Sequence, residues 1–211
     1  MKQLRLEHVY NTIKTSVMYS VRRLRYYNYY RKFKQCGNRV ILSKGGVILR
    51  PEHITFGSNI YISSGFRISA YNLTFGNDIL IGPNILIECE DHCFDRAGTP
   101  MTQYRESKNF GPVTIENDVW IGANVTILKN TRICEGSIIG ACSLVNRDIP
   151  PYCIAVGIPA KPVRMRFSRS SLQEHLILMK SLYSFNDVVR YFNNSINHKN
   201  RNSEYNTSSF Q

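Results

Sequence analysis

No run of apolar residues in this sequence approaches the roughly 18 that a membrane-crossing helix needs. The N-terminus, Met1 to Asn11, alternates charge with Leu where a secretory signal would carry an apolar stretch. A cytoplasmic protein is expected. Of the six cysteines (Cys36, Cys89, Cys93, Cys134, Cys142 and Cys153), none forms a Cys-x-x-Cys pair. Cys89 and Cys93 have no second pair to complete a zinc site, so reduced thiols are expected and no metal is implied. Histidine is scarce too, with five residues. Acidic residues are few: 15 Asp and Glu stand against 27 Lys and Arg, a net charge of +12 over 211 residues. At 43% hydrophobic and 20% charged, the chain is neither disordered nor membrane-embedded by composition.

A charge of +12 suggests a polyanionic partner: nucleic acid, an anionic membrane surface or an acidic glycan. Its distribution narrows the choice. Residues 1–39 hold ten basic residues and one acid, residues 40–163 ten and eleven, and residues 164–211 seven and three. The three segments, a basic N-terminal helical segment, a central domain and a C-terminal helix with a flexible tail, thus carry +9, −1 and +4. The charge belongs to the flanks.

The central segment repeats every six residues. Phe56, Ile62, Ile68, Phe75, Ile81 and Ile87, then Ile115, Ile121, Ile127, Ile133, Ile139 and Val145, mark the first positions. A second track follows four residues later, at Ile60, Phe66, Ile79, Ile85, Val119, Val125, Thr131, Ser137 and Ser143. This period fits neither a helix nor a stack of hairpins. It fits a triangular coil of three short strands per turn of about eighteen residues, with Gly, Asn and Asp turning the corners. One turn cannot offset its own ordering cost, so the turns must stack. The repeat breaks once, at the 22 residues from Asp91 to Pro112, and a loop of that length inside a regular coil suggests function. His92 stands at its base. A lone histidine is more often structural than catalytic, and among the others only His53 is near the repeats.

Over about residues 54–164 this pattern resembles the hexapeptide-repeat acyltransferases, which implies a left-handed parallel β-helix. Ile81-Gly82-Pro83-Asn84, with His92 eight residues after the Asn, is similar to the spacing in galactoside and maltose acetyltransferases. The resemblance implies that His92 is the general base and that acetyl-CoA is the donor. A neutral imidazole suits that role. Glu90 or Asp91 could orient the ring. Val119-Trp120-Ile121-Gly122-Ala123-Asn124-Val125 matches the family's most specific stretch, which implies that Trp120, the only tryptophan, lies along the pantetheine arm. The Ala123 N–H would then face the thioester oxygen. Asn84, Ala141, Asn146 and Arg147 fall where the family lines its cofactor groove. Asn146-Arg147 stands in place of the usual Thr-Lys, keeping a cation and losing the hydroxyl. Gly157 to Arg164 matches the coil-ending motif, implying phosphate contacts by Lys161 and Arg164. The family forms homotrimers with a groove between neighbouring coils, so His92 and Trp120 of one site could come from different chains.

The flanks depart from the galactoside and maltose enzymes. Leu4, Leu6, Val9, Ile13, Val17, Val21 and Leu24 have roughly helical spacing and run into a basic, tyrosine-rich stretch. A helix over residues 1–35 could lie on an anionic membrane surface or cap the open end of the coil. Leu172, Leu176, Met179 and Leu182 predict one more helix over residues 165–185, and the Asn- and Ser-rich tail from Asn193 is expected to be disordered. The resulting expectation is an O-acetyltransferase acting on a saccharide hydroxyl, with a surface polysaccharide or its precursor as acceptor. N-acetylation of an amino-sugar nucleotide and acetylation of a drug are the alternatives within the fold. A β-helix carbonic anhydrase would need three histidines converging on a metal. A basic nucleic-acid-binding module has only the net charge in its favour, so no nucleic-acid partner is expected.

Overall fold

The computed structural model of the chain describes residues 17, 30–103 and 109–197. From Gln35 to Met165 the chain winds into the expected left-handed parallel β-helix of about six turns. Its strands are two to five residues long and form three faces. The first face stacks Gln35–Cys36, Ile54–Phe56, Leu73–Phe75, Val113–Ile115 and Thr131–Ile133. The second stacks Val40–Leu42, Ile60–Ile62, Ile79–Ile81, Trp120–Ile121, Ile138–Ile139 and Cys153–Val156, and closes with an antiparallel strand, Lys161–Met165. The third stacks Val47–Leu49, Arg67–Ser69, Leu86–Glu88, Thr126–Leu128 and Leu144–Val145.

Register shows why the period holds. Ile121 pairs with Ile139 and Ile127 with Val145, each eighteen residues on. Across the break Ile81 pairs with Ile121, forty residues on, which is one turn plus the 22-residue excursion. All twelve first-position side chains point inward and are at most 1% exposed. The second track is buried as well, including Thr131, Ser137 and Ser143. Those three hydroxyls are tolerated because each has a backbone partner. Thr131 Oγ1 donates to the Leu128 carbonyl at 2.7 Å, Ser137 Oγ to that of Pro150 at 3.1 Å, and Ser143 Oγ accepts from Gly157 N–H at 3.1 Å.

The corners are built by short polar residues in the left-handed region: Asn59, Asp78, Asn84, Asp118, Asn124 and Asn130 have φ between 54° and 59°. Gly57 is required by close approach, since a Cβ there would lie 2.2 Å from the Gly76 carbonyl oxygen one turn on. Side chains cap the neighbouring turns in a ladder. Asn77 Oδ1 accepts from Ser58 N–H at 2.9 Å, and Asn117 Oδ1 accepts from Asn77 N–H at 2.8 Å.

Both ends of the coil are closed by packing. Phe33 sits edge-on over Phe56 at 4.9 Å, Phe56 stacks on Phe75 at 4.6 Å, and the Tyr30 hydroxyl donates to the Val40 carbonyl at 2.7 Å. At the far end α1 (Arg169–Leu178) and α2 (Phe185–Asn197) bury Leu172, Leu176 and Val188 against Tyr152. Acids of the coil hold this module. Glu135 accepts from the Tyr152 hydroxyl at 2.6 Å, Glu116 from the Tyr183 hydroxyl at 2.9 Å, and Asp118 pairs with Arg166 at 2.7 Å. The six cysteines form no disulfide with one another, and burial pushes Cys134 up to about 11 and Cys153 up to about 12.

Several flank expectations change. One helix was expected over residues 165–185, but α1 stops at Leu178 and a second helix begins at Phe185. Met179 and Leu182 therefore lie outside both helices, and Leu182 is 83% exposed. Their spacing imitated a helical stripe without a partner to bury it. The expected disorder from Asn193 is overturned as far as Asn197, which α2 includes, while residues 198–211 lie outside the described residues. The N-terminal helix falls almost wholly outside them too; Val17 and Tyr30 are helical, and by Gln35 the chain has joined the coil. Within the central segment, one turn of the coil precedes the strict period. Leu42 and Ile48 are six residues apart and buried, but two extra residues around Pro51–His53 shift the phase before Phe56.

Candidate functional site

The excursion leaves the coil as a short antiparallel pair, with Glu90–Asp91 against Asn109–Phe110. His92 follows directly and is exposed. A rigid wall therefore presents an imidazole at the rim of the loop. Residues 104–108 of the loop lie outside the described residues.

The two carboxylates that precede His92 are engaged by cations from different turns. Glu90 pairs with Arg50 at 2.9 Å and accepts from the Ser69 hydroxyl at 3.2 Å. The Arg50 hydrogen bond is the largest cause holding the Glu90 carboxyl below its ordinary range. Its stabilising effect is therefore present at neutral pH and is lost as pH falls through that depressed value. Asp91 pairs with Lys129 at 2.9 Å, and Lys129 Nζ also donates to the Asn109 carbonyl at 2.8 Å. One partly buried lysine thus ties both strands of the loop base to the corner between Thr126–Leu128 and Thr131–Ile133. Beside them, burial raises Glu88, which faces Arg67 at 3.8 Å. Phe110 stacks on Tyr71 at 4.4 Å and completes an aromatic and charged floor.

Trp120 lies on the second face. Register aligns Ile41, Tyr61, Leu80, Trp120, Ile138 and Ile154 in one outward column, in which Leu80 is 57% and Trp120 54% exposed. The first face presents instead Gln35, Thr55, Thr74, Thr114 and Arg132 at the equivalent positions. Two faces of one coil therefore differ in kind: one is polar, the other an apolar strip of the sort that marks contact surfaces.

Some of the other expected residues lie beside this column and some do not. Ala123 and Ala141 sit at successive corners next to Trp120, where Gly122 keeps the backbones close: a Cβ on it would lie 2.6 Å from Ala141 N. Asn84 is on the same row of corners, but its Nδ2 donates to Asn124 Oδ1 at 3.1 Å, so it is part of a structural ladder. Asn146, Arg147, Lys161 and Arg164 are exposed at the end of the coil. Arg164 pairs with Ile154, which places it three strands along from Trp120, about 14 Å at ordinary strand spacing. Within one chain, then, Trp120, Ala123 and Ala141 gather on one edge of the third face, while Asn146 and Arg147, which follow Val145, the register partner of Ile127, lie toward its other edge, beyond which His92 stands. Arg50, Ser69 and Lys129 had no sequence signal, because their partners lie about 20 to 40 residues away. Among the described residues, no group of three or more His, Cys, Asp and Glu could hold a metal ion.

The Lys129 clamp has a direct readout. Lys129→Met should speed amide hydrogen exchange in Asp91 and Phe110 about ten-fold while leaving Ile121 and Ile139 protected. Equal protection in variant and wild type would show that the loop base does not depend on this pair.

The bacterial transferase hexapeptide (six repeats) family matches residues 112–147. Among curated proteins, the galactoside O-acetyltransferase of Escherichia coli K12 is 35% identical over 121 residues, covering 54% of this chain and 58% of that protein. The chain thus spans little more than half the length of this curated relative. Among solved structures, a hexapeptide-repeat acetyltransferase of Vibrio cholerae complexed with acetyl-CoA superposes with a TM-score of 0.61 at 28% identity, over 68% of this chain and 77% of that one. A galactoside acetyltransferase in complex with coenzyme A gives 0.60 at 28% identity, over 68% and 70%. Repeat, sequence and fold therefore agree on one resemblance, to the hexapeptide-repeat acyltransferases.

Proposed function

We propose that the chain is an acetyl-CoA-dependent O-acetyltransferase acting on a saccharide hydroxyl, with a surface polysaccharide or its precursor as acceptor. One observation carries this reading. An exposed histidine stands on a clamped loop base, an exposed tryptophan stands in an apolar column, and the coil that holds both is similar to a coil solved with acetyl-CoA. His92 accepts the proton of the acceptor hydroxyl as that oxygen attacks the thioester carbonyl. The Ala123 N–H donates to the oxyanion that forms, where a fixed donor in a dry groove is most effective. When the C–S bond breaks, His92 returns its proton to the departing thiolate, so the base is regenerated. Trp120 lies along the pantetheine arm. Asn84, Ala141 and Asn146 line the groove, and Arg147, Lys161 and Arg164 supply cations for the nucleotide phosphates.

The separation of Trp120 from His92 by a full side of the triangle favours a site shared between copies. In a homotrimer, the apolar column of one coil faces the loop of its neighbour, and each groove takes Trp120 from one chain and His92 from the next. The basic N-terminal region, residues 1–35, supports placement beside an anionic membrane surface. Arg31, Lys32, Lys34, Arg39 and Lys44 are all exposed around the start of the coil, and no acid lies between residues 30 and 49. In this reading the protein acts at the cytoplasmic face of the membrane.

His92→Ala should lower transfer at least about 100-fold in a thioester-cleavage assay while acetyl-CoA still binds. Near-normal turnover would refute the base assignment, and a panel of hydroxyl and amino sugars in the same assay separates O- from N-acetylation. Trp120→Ala should weaken acetyl-CoA binding about ten-fold by calorimetry, and an unchanged dissociation constant would exclude the pantetheine contact. Removing residues 1–29, which spares Tyr30 and its bond to Val40 but takes away six of the basic residues, should reduce co-sedimentation with phosphatidylglycerol vesicles. Retained sedimentation would move the membrane contact elsewhere.

A further inference from the structure

Arg50 has a backbone conformation that most other corners of the coil give to short polar residues, with φ 57° and ψ 56°. Its long side chain does not run out into solvent. It is two-thirds buried and meets four partners. Nε donates to the Ala70 carbonyl at 3.0 Å, and Nη2 donates to Ser69 Oγ at 2.9 Å and to Glu90 Oε2 at 2.9 Å. The guanidinium lies 5.2 Å above the Phe110 ring. These partners come from the next turn of the coil and from both strands of the loop base. A planar fork with fixed donors can bridge all of them at once, which an ammonium cannot.

We propose that Arg50 is a positioning residue for His92, holding through Glu90 the strand from which the imidazole emerges and cancelling the carboxylate charge beside it. The proposal rests on His92 as general base for its catalytic consequence, but not for its geometry. Glu90 and His92 interact electrostatically, since the imidazole is one of the influences that lower the Glu90 carboxyl. The charged groups around this position occur in compensating pairs: Glu90 with Arg50, Asp91 with Lys129, and Glu88 with Arg67. Losing Arg50 unbalances the first pair and leaves the Glu90 carboxylate, still hydrogen-bonded by Ser69, without a compensating charge two residues from His92. A nearby negative charge favours the imidazolium, and an imidazolium cannot accept a proton. Activity would then fall off at a higher pH on the acid side, and the ring would lose its fixed support.

The test follows the His92 Cε1–H resonance against pH by NMR in the full chain with labelled histidine, assigned from its absence in His92→Ala. In Arg50→Met the titration midpoint should rise by about half a pH unit, the size expected for one added charge near an exposed ring. Glu90→Gln should lower it, the double variant should return close to wild type, and Arg50→Lys should restore most of it. In the transfer assay, Arg50→Met should lower kcat about ten-fold and leave KM for acetyl-CoA unchanged, because Trp120 and Ala123 lie on another edge of the coil. An unmoved midpoint in Arg50→Met, or a shift that persists in the double variant, overturns the proposal. Should Arg50→Met fail to fold, Glu90→Gln decides alone, and an unchanged midpoint there overturns it equally. Full activity of His92→Ala would remove the base assignment, whereas the NMR midpoints judge the Arg50 contact independently.

Discussion

Everything in this molecule depends on vertical stacking at strand spacing of side chains that recur every sixth residue. A three-residue strand has too few hydrogen bonds and too little buried surface to persist alone. Repeated in register on a neighbour about 4.8 Å above and below, it gains partners for its backbone and a continuous aliphatic column for its inward side chain. Phe33, Phe56 and Phe75 show the principle at its most direct, one ring resting on the next down the axis. The corners obey the same constraint. Glycine is needed where one backbone rests on another, and Asn or Asp where the chain must turn left-handed and still cap the turn beside it.

A scaffold stabilised between turns tolerates interruption within one of them. The excursion between Glu90 and Phe110 leaves and rejoins without altering the pairing of Ile81 with Ile121, so an irregular segment can be carried at no cost in register. That freedom is what makes a rigid coil useful for chemistry. The wall fixes where the loop starts, and the loop supplies residues that a strict repeat cannot. At its base, three ion pairs drawn from separate turns engage Glu88, Glu90 and Asp91, the acids of the segment that leads to His92.

The fold was largely legible in the chain, because its defining signal is a one-dimensional period. All twelve first positions from Phe56 to Val145 are inward and buried. Where two residues are added around Pro51–His53 the period slips, so the turn containing Leu42 and Ile48 is out of phase with the twelve. The C-terminal flank misled for the opposite reason: Met179 and Leu182 keep helical spacing, but helix formation there is decided by what packs against it, and α1 ends once Leu172 and Leu176 are buried. The +12 charge has also acquired a place. In the described part of the chain, Arg31, Lys32, Lys34, Arg39 and Lys44 gather around the start of the coil with no acid among them, while cations and acids are close to balanced further along.

The sequence by itself determined the coil, the position of its single long loop and the two residues, His92 and Trp120, that stand out from the repeat. Periodicity and rarity are properties of the chain and need no third dimension. Only the tertiary structure decided which charges meet. Arg50 finds Glu90 forty residues away and Lys129 finds Asp91 across the excursion, because stacking turns brings together residues with no sequence relation. It also decided that Trp120 and His92 of one chain face different sides of the triangle, since each side is set by the phase of a residue within its turn.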